Sequence, residues 1–162
     1  MNELFEKIKS IGNEIDAEVG GVVLFGVFKR AETPGWDVII SADWVGEDNI
    51  PAIYYVVPKF QERLDVEEMV SISRIEPLPP SNDFVRAVLN AVRVTDEGAY
   101  FEYRAFNGIL MSEAYIALAN PDSQSHAPLP VSTAQISARA NIRRAAEKTK
   151  RRTGTSTKAR QR

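Results

Sequence analysis

The chain has 162 residues, 44% of them apolar, enough for one ordinary domain with a real core plus an extension. It has no cysteine and one histidine, His126, which excludes disulfides, thiol nucleophiles, thiolate metal sites and any metal site built on two imidazoles. The net charge of −2 conceals a split: residues 1–138 hold 10 Lys and Arg against 21 Asp and Glu, whereas residues 139–162 hold 10 against Glu147 alone, so an acidic body precedes a basic tail.

The first segment, MNELFEKIKS, mixes acids, bases and apolar residues and does not read as a signal peptide. The longest apolar run, Val19 to Phe28, has 10 residues, where a spanning helix needs about 20. A soluble cytoplasmic protein is the expectation. Leu4, Ile8, Ile11 and Ile15 recur at helical spacing behind Asn2, with Phe5 widening the stripe, and predict an amphipathic helix over 3–17 that ends before Gly20-Gly21. Val22 to Phe28 is apolar at every side-chain position, as in a central strand. After the turn residues Thr33-Pro34-Gly35, Trp36 to Val45 alternates, and Asp37 and Asp43 share a face with Ile39, Ser41 and Val45. The expectation is that the two aspartates solvate the outward face of this strand.

Residues 50–64 carry two signals. Ile53, Val57, Phe60 and Leu64 fit a helix with Pro51 in its first turn, while IYYVV between Pro51 and Pro58 is strand-like. Helix is the favoured expectation, with a kink at Pro58. An acidic turn, DVEEM, whose Asp65, Glu67 and Glu68 suit a helix N-terminus, precedes a strand over Val70 to Leu78. Ser81 or Asn82 then caps a helix with Phe84, Val85, Val88, Leu89 and Val92 on its apolar side.

Asn107-Gly108 is the preferred two-residue hairpin turn, because both positions need positive φ. It joins AYFEYRAF to ILMSEAYIAL. Strict alternation places Phe101, Tyr103, Ala105, Leu110, Ala114 and Ile116 on a core face. The opposite face, with Tyr100, Glu102, Arg104, Phe106, Met111, Glu113 and Tyr115, is a candidate interface led by Tyr100, Arg104, Phe106, Met111 and Tyr115. Glu102 falls opposite Glu113, an unfavourable pair that Arg104 on the diagonal would relieve.

The reading is therefore an α/β (α+β) domain over 1–118 with a mixed sheet and flanking helices, in the order α-β-β-α-β-α-β-β. A Pro/Ser-rich linker over 119–133 follows, with His126 an ordinary loop residue, and then a basic tail over 134–162 that is disordered or conditionally helical. Arg139, Arg143, Arg144, Lys148, Lys150, Arg151, Arg152, Lys158, Arg160 and Arg162 form a polycation able to neutralise phosphates without reading sequence. Nucleic acid, an acidic protein, or an acidic body of this chain or a neighbouring copy are the candidate partners. No membrane role is expected. Gly20-Gly21 and Gly26 do not have dinucleotide-fingerprint spacing.

Over residues 3–93 the order of elements resembles the minimal nucleotidyltransferase fold of small antitoxin-type proteins. There a first strand ends in Gly-Ser, a second supplies Asp-x-Asp, and a third supplies another aspartate. Gly26 and Asp37 fit that pattern, whereas Val27 replaces the serine, Ile39 replaces the second aspartate, and no acid occurs between Val70 and Ile75. The resemblance implies Mg²⁺ held by carboxylates against nucleotide phosphates. Asp43 lies six residues beyond Asp37, about 20 Å along a strand at about 3.3 Å per residue, too far to share an ion. The stretch WDVIISADW also resembles a family of uncharacterised bacterial proteins. The expectation is a non-catalytic binding or adaptor protein without a cofactor. The alternatives are a Mg²⁺-dependent nucleotide-binding or nucleotidyltransferase enzyme using Asp37, and a structural subunit oligomerising through the Tyr100 face.

Overall fold

In the computed structural model, which describes residues 2–131, four helices and five strands follow one another. They are α1 (Asn2–Glu18), β1 (Val22–Arg30), β2 (Trp36–Ala42), α2 (Ile50–Arg63), α3 (Val66–Ser71), β3 (Ile72–Leu78), α4 (Asp83–Ala91), β4 (Ala99–Phe106) and β5 (Ile109–Ala119). The chain divides into two units, Met1–Leu129 and Pro130–Arg162, and every one of these elements belongs to the first.

The strands form one mixed sheet in the order β3-β2-β1-β5-β4, with β2 and β3 parallel and the other neighbours antiparallel. The apolar run of β1 takes the centre, because only a middle strand between two covered faces buries side chains on both sides. Phe25 turns to the α1–α2 side, where it meets Phe60 at 6.2 Å. Gly12 of α1 lies over the same ring, so closely that a Cβ there would sit 2.6 Å from it. Phe28, three residues on, turns to the α4 side and meets Phe84 edge-on at 5.3 Å. Helices thus cover both faces of the sheet.

Residues 50–63 are helical, because the buried set Ala52, Tyr55, Val56 and Phe60 forms one stripe at helical spacing. The helix runs through Pro58. The acidic turn closes into α3 by a capping box: Asp65 accepts from the Glu68 N–H and Glu68 accepts from the Asp65 N–H. Val70 and Ser71 consequently end a helix, and β3 begins at Ile72. Asn82 caps α4 by accepting from Phe84 N at 2.9 Å and Val85 N at 3.3 Å.

The hairpin forms where expected, with φ of 49° at Asn107 and 75° at Gly108, and Glu102 does pair with Glu113. Its faces differ from strict alternation. Tyr103 adopts φ of 47°, and the β1–β5 register shifts between Lys29 and Arg30, skipping Ser112. The two irregularities lie side by side and exchange the faces between the strand bodies and the turn. Phe101, Ala114 and Ile116 reach the core with Phe106 and Met111, while Tyr103 and Leu110 are exposed. Phe106 and Met111 therefore leave the expected interface. Tyr115 leaves it as well, because it is buried in a stack on Phe5 at 4.6 Å.

The segment after β5 is not a free linker in its first part. Asn120 N donates to Val23 O, His126 N to Val19 O at 2.7 Å, and Ser125 N to the Asp43 carboxylate at 2.8 Å. Gly20 and Gly21, both at positive φ, leave no side chain in the path of this strap; a Cβ on Gly20 would meet His126 at 2.7 Å. Residues 132 and 133, and the tail from 134 with its basic positions Arg139 to Arg162, lie outside the described residues.

Candidate binding site

The pleat brings the polar side chains of three strands together on the α4 side of the sheet. Asp37 of β2 pairs in register with Phe28 of β1 and with Arg74 of β3, and Ile39 pairs with Glu76. Arg30, two residues beyond Phe28, projects to the same side as Asp37. Asp37 is not a solvating residue on an outward face: it is 8% exposed. Arg30 Nε lies 3.2 Å from Asp37 Oδ2, and Arg74 Nη2 donates to the same oxygen at 3.1 Å. Arg74 Nη2 also stands 3.4 Å from Glu76 Oε2, so one guanidinium bridges the two carboxylates.

Burial holds the Asp37 carboxyl above the ordinary aspartate range, since desolvation, with Glu76 adding to it, outweighs the attraction of Arg30. The four charged groups sum to zero. Beside them opens a cavity of about 170 Å³ whose apolar wall includes Phe28, Ile39, Phe84 and Met111, and whose polar lining is Arg30, Asp37, Glu76 and Asn82. Glu76 is the carboxylate that the sequence pattern did not identify: it lies one residue beyond Val70 to Ile75, the span in which the resemblance puts a third acid. The signal was the alternation of Arg74, Glu76 and Leu78, which a parallel β2–β3 pairing places beside Asp37 and Ile39. Asp43 sits past the end of β2, where it holds the strap at Ser125. No three His, Asp or Glu side chains among the described residues converge as metal ligands.

On the other face of the hairpin, the Tyr100 hydroxyl lies 3.1 Å from Glu102 and 3.0 Å from Glu113, bridging the two acids. Its pKa is pushed up to about 12 by desolvation and by these carboxylates. Lys29 stands 3.9 Å from Glu113. Arg104 does not relieve this pair: it stacks over Phe101 at 4.7 Å and donates to Ala91 O. Tyr100 alone of the expected interface residues remains exposed on that face.

Charge separates by layer within the body. The bases of α1 and α2 are largely spent on local acids: Lys7 binds Glu68, Lys59 binds Glu14 and Glu18, and Arg63 binds Glu14. Glu6, Glu62 and Glu67 remain exposed on that side. Arg30, Arg74 and Arg104 lie on the α4 side with Arg86 and Arg93 of the α4 region. Arg93 and Arg104 donate to the last carbonyls of α4, where the helix dipole favours cations. Among the described residues no helix is long and apolar enough to cross a membrane. Compared with protein-family models, curated proteins and solved structures, the chain matches none of them.

Proposed function

We propose that this chain is a non-catalytic binding or adaptor protein, whose acidic α/β body makes protein contacts and whose basic C-terminal segment engages nucleic acid. The observation that carries the reading is the charge partition, with 10 Lys and Arg against one acid in the last 24 residues. The body supports it. Its one buried acid on β2, Asp37, is already neutralised by two arginines, and Arg74 fills the position between Asp37 and Glu76 that a shared cation would take. The exposed acids of the helical layer repel phosphate, so contact with a polyanion falls to the basic segment.

The test compares the full chain with one ending at residue 133 on a duplex of random sequence. The full chain binds and the shortened one loses at least tenfold in affinity. Equal affinity overturns the assignment of the tail. A nucleotide-handling enzyme is the second reading, and the second carboxylate beside Asp37 favours it. That reading requires Mg²⁺-dependent nucleoside triphosphate binding that disappears in Asp37→Asn; calorimetric silence with every nucleotide removes it.

A further inference from the structure

The cavity beside Asp37 joins an apolar wall to charges that are already balanced. Arg30 and Arg74 hold the Asp37 carboxylate and Arg74 also holds Glu76, so two cations meet two anions and neither sign is in surplus. A formal charge carried into this lining gives up water and gains no counter-ion, whereas an uncharged group meets no such cost. The wall sets the size. Phe28 is fully buried, Ile39, Phe84 and Met111 are nearly so, and the rings of Phe28 and Phe84 stand edge to face at 5.3 Å. At about 170 Å³ the space is close to the roughly 150 Å³ apolar cavity that takes up benzene, so one aromatic ring or a short aliphatic stem fills it.

The fourth polar residue of the lining, Asn82, is uncharged and only half used. Its Oδ1 caps α4 by accepting from Phe84 N at 2.9 Å and Val85 N at 3.3 Å. Those two bonds fix which end of the amide is nitrogen, because only the oxygen accepts from N–H groups. The Nδ2–H₂ group makes no hydrogen bond to any described residue. Where the charges are matched, this amide is a neutral donor left for a ligand, and its complement is an acceptor oxygen on a small apolar group.

We propose that this cavity binds a small uncharged carbonyl compound, whose apolar part is no larger than one aromatic ring. The ring or stem lies against Phe28, Phe84 and Met111, and the carbonyl oxygen accepts from Asn82 Nδ2. The ion-paired cluster of Arg30, Asp37, Arg74 and Glu76 stays closed on itself and excludes charged compounds of the same shape. The site belongs to the body and needs nothing from the basic segment.

The experiment follows the methyl resonances of Ile39, Ile109 and Met111 in the full-length protein during titration with acetophenone, toluene, benzylamine and benzoate. Acetophenone gives saturable shifts, at the roughly millimolar affinity open to a fragment of this size. Toluene keeps the ring without the acceptor and binds about fivefold more weakly, the share of one neutral hydrogen bond. Benzylamine and benzoate do not saturate. Asn82→Asp and Asn82→Ser both keep a cap for α4 while removing the amide donor. Each brings acetophenone down to the level of toluene and leaves toluene itself unchanged. A charged compound binding as tightly as acetophenone, toluene binding equal to it, no saturable shift with acetophenone, or an acetophenone affinity indifferent to both substitutions would each overturn the proposal.

Discussion

Asp37 takes two arginines on one oxygen and is still reluctant to ionise, and this fixes what its substitution should do. Removing one partner of a buried pair usually costs about 3–5 kcal/mol, because the other charge is stranded away from water. Here the partner side chains are 37% and 42% exposed, and although Arg30 Nε itself is buried, the amide oxygen of an asparagine still accepts from it. A carboxyl whose folded pKa is raised contributes stability below its unfolded value of 3.8, and that contribution is lost as pH rises through the folded value. At neutral pH Asp37→Asn therefore costs no more than about 1 kcal/mol, far less than a stranded pair. Urea unfolding at pH 7 measures it, and a loss of about 3 kcal/mol or more would show that the two arginines do depend on the charge.

Glu18 has the opposite sign. The Tyr55 hydroxyl donates to its carboxylate and Lys59 adds a second bond, which together hold its pKa below the ordinary value of 4.5. That stabilisation is present above pH 4.5 and is lost as pH falls through the folded value. Tyr55→Phe removes the larger of these two contributions. Because the Glu18 side chain is 42% exposed and water screens its charge, the variant should be destabilised by only about 0.5–1 kcal/mol at pH 7, and by clearly less at pH 3. A loss that does not vary between the two pH values would mean that packing against Trp44 and α1, rather than the Glu18 bond, is what the hydroxyl serves.

Among the elements, the hairpin shows where pattern reasoning holds and where it stops. The turn was legible because Asn-Gly satisfies a backbone requirement that few other pairs meet. The faces were legible only as far as Glu102 and Glu113. Beyond them the chain adopts positive φ at Tyr103, a conformation that costs a non-glycine residue about 1–2 kcal/mol and that no local signal announces. The compensation is non-local: the switch delivers Phe106 to Phe28 and Phe84 in the core. Since the Tyr103 side chain is 77% exposed, Tyr103→Gly should raise stability by about 1 kcal/mol, visible as a higher melting temperature with an unchanged fold. Destabilisation by that substitution would show that the tyrosine ring makes contacts that matter more than its backbone strain. The helix at 50–63 carries the complementary lesson. Its β-branched and aromatic residues favour a strand locally, yet their spacing builds one buried stripe, and the stripe prevails.

At the scale of the whole molecule, the mixed sheet and its helical layers follow from apolar patterning, which is why the order of elements, apart from the short α3 that read as an acidic turn, could be read in advance. The candidate site could not be read so directly. It assembles Arg30, Asp37 and Glu76 from three strands, and only the parallel pairing of β2 with β3 brings Glu76 beside the others. Composition, by contrast, displayed the charge partition openly, and the molecule carries the acidic share chiefly on its α1–α2–α3 layer. The measurement that tests the account most directly is the affinity of the full chain for duplex DNA as a function of salt. Each phosphate neutralised contributes about −0.9 to the slope of log K against log salt concentration, so engagement of five or more tail cations gives a slope steeper than about −4. A slope of that size that disappears when the tail arginines and lysines are replaced by glutamine is the predicted result. Binding that is insensitive to salt, or that survives those replacements unchanged, would contradict it.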